Sequence, residues 1–296
     1  MRKPFLERIK DGVLLCDGAM GTQLDARGLK PGECHEEWNV LHPERVEHIH
    51  AAYVEAGAEA ILTNTFGGTR WCLERYGLGE RVGEFNSAAV KRARAVAGEE
   101  RYVLGDVGPT AEFVFPLGKR KEEEFVEVFR EEVSFLAEGA DAIAVQTMTS
   151  LQELAAAVRA AKETGLPVAG SMAFQPDVRG KGFRTIMGVG IDEMVRRLEE
   201  EGADVIGTNC GTVDIADVVE IVRQIRALTS LPILAEPNAG RPRLVGEKTV
   251  FDQTPEAMAE HLHALVEAGA NIIGGCCGTT PEHIHVFAER ISRERT

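Results

Sequence analysis

No apolar run in these 296 residues approaches the roughly 18 that a membrane-crossing helix needs. The opening residues, Met1-Arg-Lys-Pro-Phe-Leu-Glu-Arg, lack the apolar stretch of a secretory leader, so a cytoplasmic protein away from membranes is expected. Low-complexity tracts are missing, while 44% of the residues are hydrophobic and 27% charged, the balance of a chain that buries a core. Basic residues are outnumbered: 33 Lys and Arg stand against 47 Asp and Glu, a formal net charge of -14. Phosphate backbones are bound by clustered Lys and Arg, so nucleic acid is excluded as a partner. The acid is spread through segments such as Lys121-Glu-Glu-Glu-Phe and Arg197-Leu-Glu-Glu-Glu-Gly and reads as a solvated surface. Cysteines are few, at 16, 34, 72, 210, 276 and 277. A reducing compartment leaves no disulfide framework to expect, and adjacent cysteines bridge each other only with strain.

What is present is an internal repeat. Glu55-Ala-Gly-Ala-Glu-Ala-Ile-Leu, Glu138-Gly-Ala-Asp-Ala-Ile-Ala, Glu201-Gly-Ala-Asp-Val-Ile-Gly and Glu267-Ala-Gly-Ala-Asn-Ile-Ile-Gly share one plan. Each closes a helix, turns at Gly-Ala and enters a short apolar run suited to a strand buried on both faces. The repeats lie about two βα units apart, which predicts an intervening strand in each gap. Val13-Leu-Leu-Cys-Asp, Tyr102-Val-Leu-Gly-Asp, Leu166-Pro-Val-Ala-Gly-Ser and Leu231-Pro-Ile-Leu-Ala-Glu supply them, making eight. Thr254-Pro255-Glu and Thr280-Pro281-Glu each read as a helix cap followed by Pro at the first helical position. Eight βα units at near-equal spacing predict an α/β protein, a single (β/α)8 TIM barrel over residues 1–296. The competing open, doubly wound sheet would want a Gly-x-Gly-x-x-Gly turn after the first strand, and there is none.

Active sites of such barrels lie at the C-terminal strand ends. Read in order, these are Asp17-Gly-Ala-Met-Gly-Thr, Thr63-Asn-Thr-Phe, Asp106-Val-Gly-Pro-Thr, Gln146-Thr-Met-Thr, Ser171-Met-Ala-Phe, Thr208-Asn-Cys-Gly, Glu236-Pro-Asn-Ala-Gly and Gly274-Gly-Cys-Cys-Gly-Thr-Thr. Cys210, Cys276 and Cys277 therefore face one cavity. Three converging thiolates suit zinc, with a fourth position left open as in catalytic sites. Neighbouring residues of a strand point to opposite faces, so Cys276 and Cys277 can reach one ion only where the strand has ended, and Gly274, Gly275 and Gly278 permit that. The competing reading makes the three small core residues, which is preferred for Cys16, Cys34 and Cys72. A thiol bound at the open position would lose its proton, and three anionic ligands would keep its sulfur nucleophilic. Alkylation of that sulfur suits such a site better than hydrolysis.

Asp17-Gly-Ala-Met-Gly-Thr, Thr63-Asn-Thr-Phe-Gly-Gly-Thr, Gly105-Asp-Val-Gly-Pro-Thr, Asn209-Cys210-Gly, Glu236-Pro-Asn-Ala-Gly and Gly274-Gly-Cys-Cys-Gly-Thr-Thr-Pro together resemble the homocysteine S-methyltransferase family. That family includes the homocysteine-binding domain of cobalamin-dependent methionine synthase and betaine–homocysteine methyltransferase. The likeness covers about residues 10 to 290. It implies zinc on Cys210, Cys276 and Cys277, methyl transfer to a thiolate, and a methionine product when homocysteine is the acceptor. It further implies that Asp17 and the amides of Gly18, Ala19 and Met20 hold the amino-acid end, with Glu236, Asn238 and Asn209 around the substrate and metal. One position departs: the family usually places Glu where this chain has Gln146. Either the variation is tolerated beside Asp17, or the acceptor is another thiol, without an α-amino group.

The methyl donor must come from outside these residues, since no Asp-x-His-x-x-Gly run for cobalamin ligation exists. Sulfonium and betaine donors are held by aromatic boxes, and aromatics amount to only 6%. Phe66, Phe113, Phe115 and Phe174 fall near strand ends and read as packing. Methylcobalamin or another methyl-corrinoid, supplied in trans on a separate protein, is the expected donor, with a small sulfonium or betaine as the alternative. Two other classes compete: a metal-free barrel using Gly274-Gly-Cys-Cys-Gly-Thr-Thr-Pro as a phosphate cradle, and a non-catalytic zinc- or thiol-binding subunit. His283 and His285 fall in the last helix and are expected at the surface.

Overall fold

The computed structural model describes residues 2–178, 180, 182–246 and 248–294. Eight strands form one parallel sheet: β1 (Leu14–Leu15), β2 (Ala60–Leu62), β3 (Tyr102–Val107), β4 (Ala142–Met148), β5 (Val168–Met172), β6 (Val205–Asn209), β7 (Ile233–Glu236) and β8 (Ile272–Ile273). Their order is β1-β8-β7-β6-β5-β4-β3-β2, and a parallel bridge from Cys16 to Ala60 closes β1 onto β2. At least one helix follows every strand, from Gly21–Ala26 after β1 to Pro281–Glu294 after β8. This is the (β/α)8 barrel that the repeats predict.

The repeats have a structural task beyond turning the chain. Gly57, Gly202 and Gly269 adopt φ values of +108°, +76° and +108°, where a side chain would be strained. The residue two places on then reaches the neighbouring strand. Asp141 accepts the Val103 N–H at 2.8 Å, Asp204 that of Val168 at 2.8 Å, and Asn271 that of Ile233 at 3.0 Å. Each otherwise orphaned amide at the entrance to β3, β5 and β7 is thus satisfied by the repeat leading into the next strand. Glu59, the equivalent of the first repeat, pairs with Arg8 at 2.6 Å.

Alternation along the strands separates two apolar clusters. Outward residues such as Ile61, Val103, Ile143, Val168, Ile206 and Ile273 pack against the helix layer. Inward residues Leu14, Cys16, Ala60, Leu62, Tyr102, Leu104, Ala142, Ala144, Ala169, Val205, Leu234 and Ile272 fill the barrel, with Phe5 and Ile9 in the same cluster. Phe5 meets the Tyr102 ring edge-on with centroids 5.6 Å apart, so the N-terminal helix Phe5–Arg8 plugs the lower end. The loops after β5 and β7 each carry a short antiparallel ribbon, Gln175–Pro176 with Phe183–Arg184 and Arg243–Val245 with Lys248–Val250. Among the described residues, no helix is long and apolar enough to cross a membrane.

Candidate metal and substrate site

The ends of β6, β7 and β8 bring Cys210, Cys276 and Cys277 together. Cys210 sits in the left-handed region at φ 56°, a conformation costing a non-glycine residue about 1–2 kcal/mol. Its N–H donates to the Glu236 carbonyl at 3.2 Å, and that of Cys276 donates to the Pro237 carbonyl at 2.9 Å. Pairing of β8 stops at Ile273, and the chain then turns sharply enough to send both following thiols to one side. Gly275 permits the turn, because a Cβ there would stand 2.4 Å from Thr279 Oγ1. The three sulfurs lie within 4.8 Å of one another, and Cys210 Sγ is 4.0 Å from Cys277 Sγ. Tetrahedral coordination at 2.3 Å per sulfur asks for separations of about 3.8 Å, so the cluster could hold a metal ion after small adjustments. All three residues remain partly accessible. S–H donation from Cys276 and Cys277 pulls the Cys210 thiol far below its ordinary pKa and pushes that of Cys276 up.

Two asparagines fix the sulfurs. Asn209 Nδ2 donates to Thr147 Oγ1 at 2.7 Å and to Cys276 Sγ at 3.8 Å. Its Oδ1 accepts from the Thr147 N–H at 2.8 Å and from Ser171 Oγ at 2.7 Å. Thr147 is itself left-handed, at φ 58°, where the β4–β5 register slips between Val145 and Met148. Asn238 Nδ2 donates to the Gly211 carbonyl at 3.0 Å, and its side chain also hydrogen-bonds Cys210. Both asparagines therefore touch the thiols.

Beside them stand buried carboxylates. Asp17 Oδ2 accepts the Leu62 N–H at 3.0 Å, and Oδ1 accepts from Cys16 Sγ at 3.5 Å. Glu236, at the end of β7, is 1% exposed and accepts a short hydrogen bond at Oε2 from the Gln146 amide. Gln146 thus binds a carboxylate across the barrel rather than standing free. Asp106, at the end of β3, is 8% exposed. Its backbone is pinned to the exit of β2, N–H to Thr63 Oγ1 at 3.0 Å and carbonyl from Thr65 Oγ1 at 2.6 Å. Burial first, and then mutual repulsion, raises all three carboxyls well above the ordinary range, that of Glu236 to about 8. The sequence showed Asp106 at a strand exit but gave it no role. The alternation Tyr102, Leu104, Asp106 was the available signal.

Several expectations need correction. The Ala19 N–H is donated to Thr279 Oγ1 at 3.0 Å, so that amide is spent inside the protein. Tyr53 reinforces the same turn, its hydroxyl donating to the Ala19 carbonyl at 2.8 Å. The phosphate-cradle alternative loses donors in the same way: the amides of Gly274, Gly275, Cys276 and Thr279 go to backbone carbonyls, and that of Thr280 to His283 Nδ1. His283 is buried rather than on the surface, because the loop after β7 covers it and the Gln253 carbonyl takes its Nε2 at 3.0 Å. His285 is exposed, 3.6 Å from Glu289. Of the phenylalanines read as packing, only Phe174 is buried; Phe66, Phe113 and Phe115 are 40%, 51% and 68% exposed on the rim. Cys16 and Cys34 are buried as expected, whereas Cys72 is partly accessible.

Fold and site together define a (β/α)8-barrel protein with a thiol-lined, carboxylate-bearing mouth. The chain belongs to the homocysteine S-methyltransferase family, whose model matches residues 14–291. It is 33% identical over 309 residues to methionine synthase of Mycobacterium leprae (strain TN), covering 98% of this chain and 25% of that protein. It is 34% identical over 308 residues to methionine synthase of Mycobacterium tuberculosis, covering 97% and 25%. The chain therefore spans about a quarter of the length of these relatives. Among solved structures, the metallated form of the homocysteine methyltransferase MmuM from Escherichia coli superposes with a TM-score of 0.77 at 24% identity. That match covers 97% of this chain and 100% of that one, a likeness of fold.

Proposed function

We propose that the protein binds zinc through Cys210, Cys276 and Cys277 and methylates homocysteine to methionine, taking the methyl group from a methyl-corrinoid carried by a separate protein. The observation that carries this reading is the convergence of three accessible sulfurs at the end of a barrel, with no fourth protein ligand among the described residues. Thiolate donors suit zinc, and a site with three protein ligands leaves room for a substrate sulfur. When bound, zinc on three cysteinates lowers the pKa of a substrate thiol while leaving its sulfur nucleophilic. The chain's own residues do the rest. Asn209 and Asn238 hold the cysteine sulfurs in place, and Asp17, Glu236 and Gln146 line the substrate side. In the overall reaction the thiol proton is released, the sulfur–carbon bond forms, and the electron pair of the broken cobalt–carbon bond stays on cobalt. The name of the mycobacterial relatives, methionine synthase, supports methionine as the product, and the metallated form of MmuM supports a metal.

The test is zinc stoichiometry together with methionine formation from L-homocysteine and methylcobalamin. One zinc per chain and methionine in the wild type are expected, with both lost in Cys277→Ala while the barrel stays folded by circular dichroism. Zinc binding without transfer would leave a thiol-binding subunit, and folded protein that binds no zinc would remove the reading altogether.

A further inference from the structure

In the helix layer outside the mouth, one buried carboxylate lacks any donor. Glu132, on the helix Glu122–Leu136, is fully buried, and neither of its oxygens has a hydrogen-bond partner among the described residues. Asn86, on the helix Val82–Ala97, is buried as deeply. Its Nδ2 donates to the carbonyls of Gly68 and Val82, both at 2.9 Å, and its Oδ1 is left unpartnered. Turning the amide over would set its oxygen against those two carbonyls, so the orientation is fixed by its neighbours. The two side chains meet at Gly68, in the turn after β2. A Cβ at Gly68 would collide with Asn86 Oδ1 and stand 2.6 Å from Glu132 Oε1 and 2.9 Å from the Thr65 carbonyl oxygen. Glycine thus keeps clear a spot on which three oxygens converge, from two helices and the turn itself.

These groups are acceptors, with no donor among them. Burial, and then the charges of Asp106, Glu36 and Glu131, push the Glu132 carboxyl well above its ordinary range. Glu36 is already engaged, by the Gly67 N–H at 2.7 Å and the Cys34 thiol at 3.3 Å, and Glu131 pairs with Arg70 at 3.0 Å. A proton shared between Glu132 Oε1 and Asn86 Oδ1 would leave Oε2 without a donor. A cation would use both carboxylate oxygens, the amide oxygen and the carbonyl together, the ligand types that hard cations take. One carboxylate among neutral oxygens balances a single positive charge, whereas calcium takes about six to eight oxygens and magnesium keeps several waters.

We propose that Glu132, Asn86 and the Thr65 carbonyl bind a dehydrated potassium ion, which ties residues 65–69 to the helices Val82–Ala97 and Glu122–Leu136. Potassium fits a dry site with a single carboxylate because it gives up its water more readily than sodium. The ion braces the exit of β2, where the Thr65 hydroxyl donates to the Asp106 carbonyl at 2.6 Å. It stands apart from the thiols and takes no part in the reaction.

Urea unfolding of the full chain in potassium chloride against choline chloride, at equal ionic strength, reads the ion directly. At about ten times its dissociation constant, potassium should lower the ratio of unfolded to folded chain about elevenfold. Glu132→Gln, nearly isosteric, should abolish the difference between the two salts. Glu131→Gln, one residue away and paired with Arg70, should keep it. Wild-type crystals grown in rubidium chloride should show an anomalous-scattering peak between Glu132 and Asn86. Equal stability of the wild type in the two salts would overturn the proposal and leave Glu132 a neutral acid. A potassium response that survives in Glu132→Gln would overturn it too, by placing the ion elsewhere. Should Glu132→Gln not fold, the rubidium crystals decide: a peak at Glu132 upholds the site, and its absence removes it.

Discussion

The lower half of the barrel interior is filled by Phe5, Ile9, Leu14, Tyr102, Leu104, Val205, Leu234 and Ile272. Two to four residues further along the same strands stand Asp106, Glu236 and Asn209, with Gln146 and Ser171 beside them, equally buried but polar. The geometry is continuous, since one alternation sets both halves. The energetics are not. Below, each inward side chain is removed from water into close packing, a gain of about 25 cal/mol for each Å2 of apolar surface. Above, buried carboxylates stand partly unpaired, and Cys210 and Thr147 hold left-handed backbones. One half of the interior stabilises the barrel, and the other is kept in a costly arrangement that suits a ligand.

Truncation in the lower half should break that comparison if the two halves are one unit. Leu104 is 1% exposed within the interior cluster. Leu104→Ala should lower unfolding free energy by about 2–5 kcal/mol in urea titrations. The folded variant should still bind one zinc, since Cys210, Cys276 and Cys277 lie outside the interior cluster that holds Leu104. Lost zinc at full folding would show that the mouth depends on the plug below it.

A second contrast concerns buried titratable groups. The carboxyls of the mouth can be relieved by a bound cation, but His50, in the helix layer on Pro43–Glu55, is fully buried with neither ring nitrogen hydrogen-bonded. Burial alone pushes it from 6.5 down to about 4. The unfolded chain then binds a proton near pH 6.5 that the folded one refuses. Stability from neutral His50 is therefore present above pH 6.5 and lost as pH falls through about 4. The loss amounts to about 3 kcal/mol. Comparing wild type with His50→Leu from pH 7 to pH 4 isolates this component, because the carboxylates are common to both. Parallel curves would show that His50 is not the group responsible.

Much of this was legible in the sequence, for local reasons. The Gly-Ala repeats mark where helices end and strands begin, and the apolar runs end at residues whose polarity marks the mouth. The cysteine trio followed from those ends. What escaped depends on distances across the barrel or on long aperiodic loops. β4 and β7 are not neighbours in the sheet, so no pattern along the chain could pair Gln146 with Glu236. Phe113 and Phe115 fall in a loop between β3 and the helix Glu122–Leu136, where no period assigns a face. His283 shares the last helix with exposed His285, and only the return of the loop bearing Gln253 covers it. Ala19 sits at a strand exit like its neighbours, but Thr279 reaches back from the far end of the chain to take its amide.

The smallest expected effect bears on how the costly half is maintained. Asn209 is fully buried, and four hydrogen bonds tie it to Thr147, Ser171 and Cys276. Its N–H donation stabilises negative charge on the Cys276 sulfur, while Thr147 and Ser171 prevent the amide from rotating away. Such partners of metal ligands are worth about 10–100-fold in metal affinity. Asn209→Ala should therefore weaken zinc binding by that factor in a chelator competition, with the metal still bound at saturation and the barrel still folded. Ser171→Ala removes only one of the restraints on the amide and should cost less. Equal losses in the two variants would mean that orientation matters more than the Asn209–Cys276 contact, and no loss in either would leave the strained turns at Thr147 and Cys210 as what holds the sulfurs together.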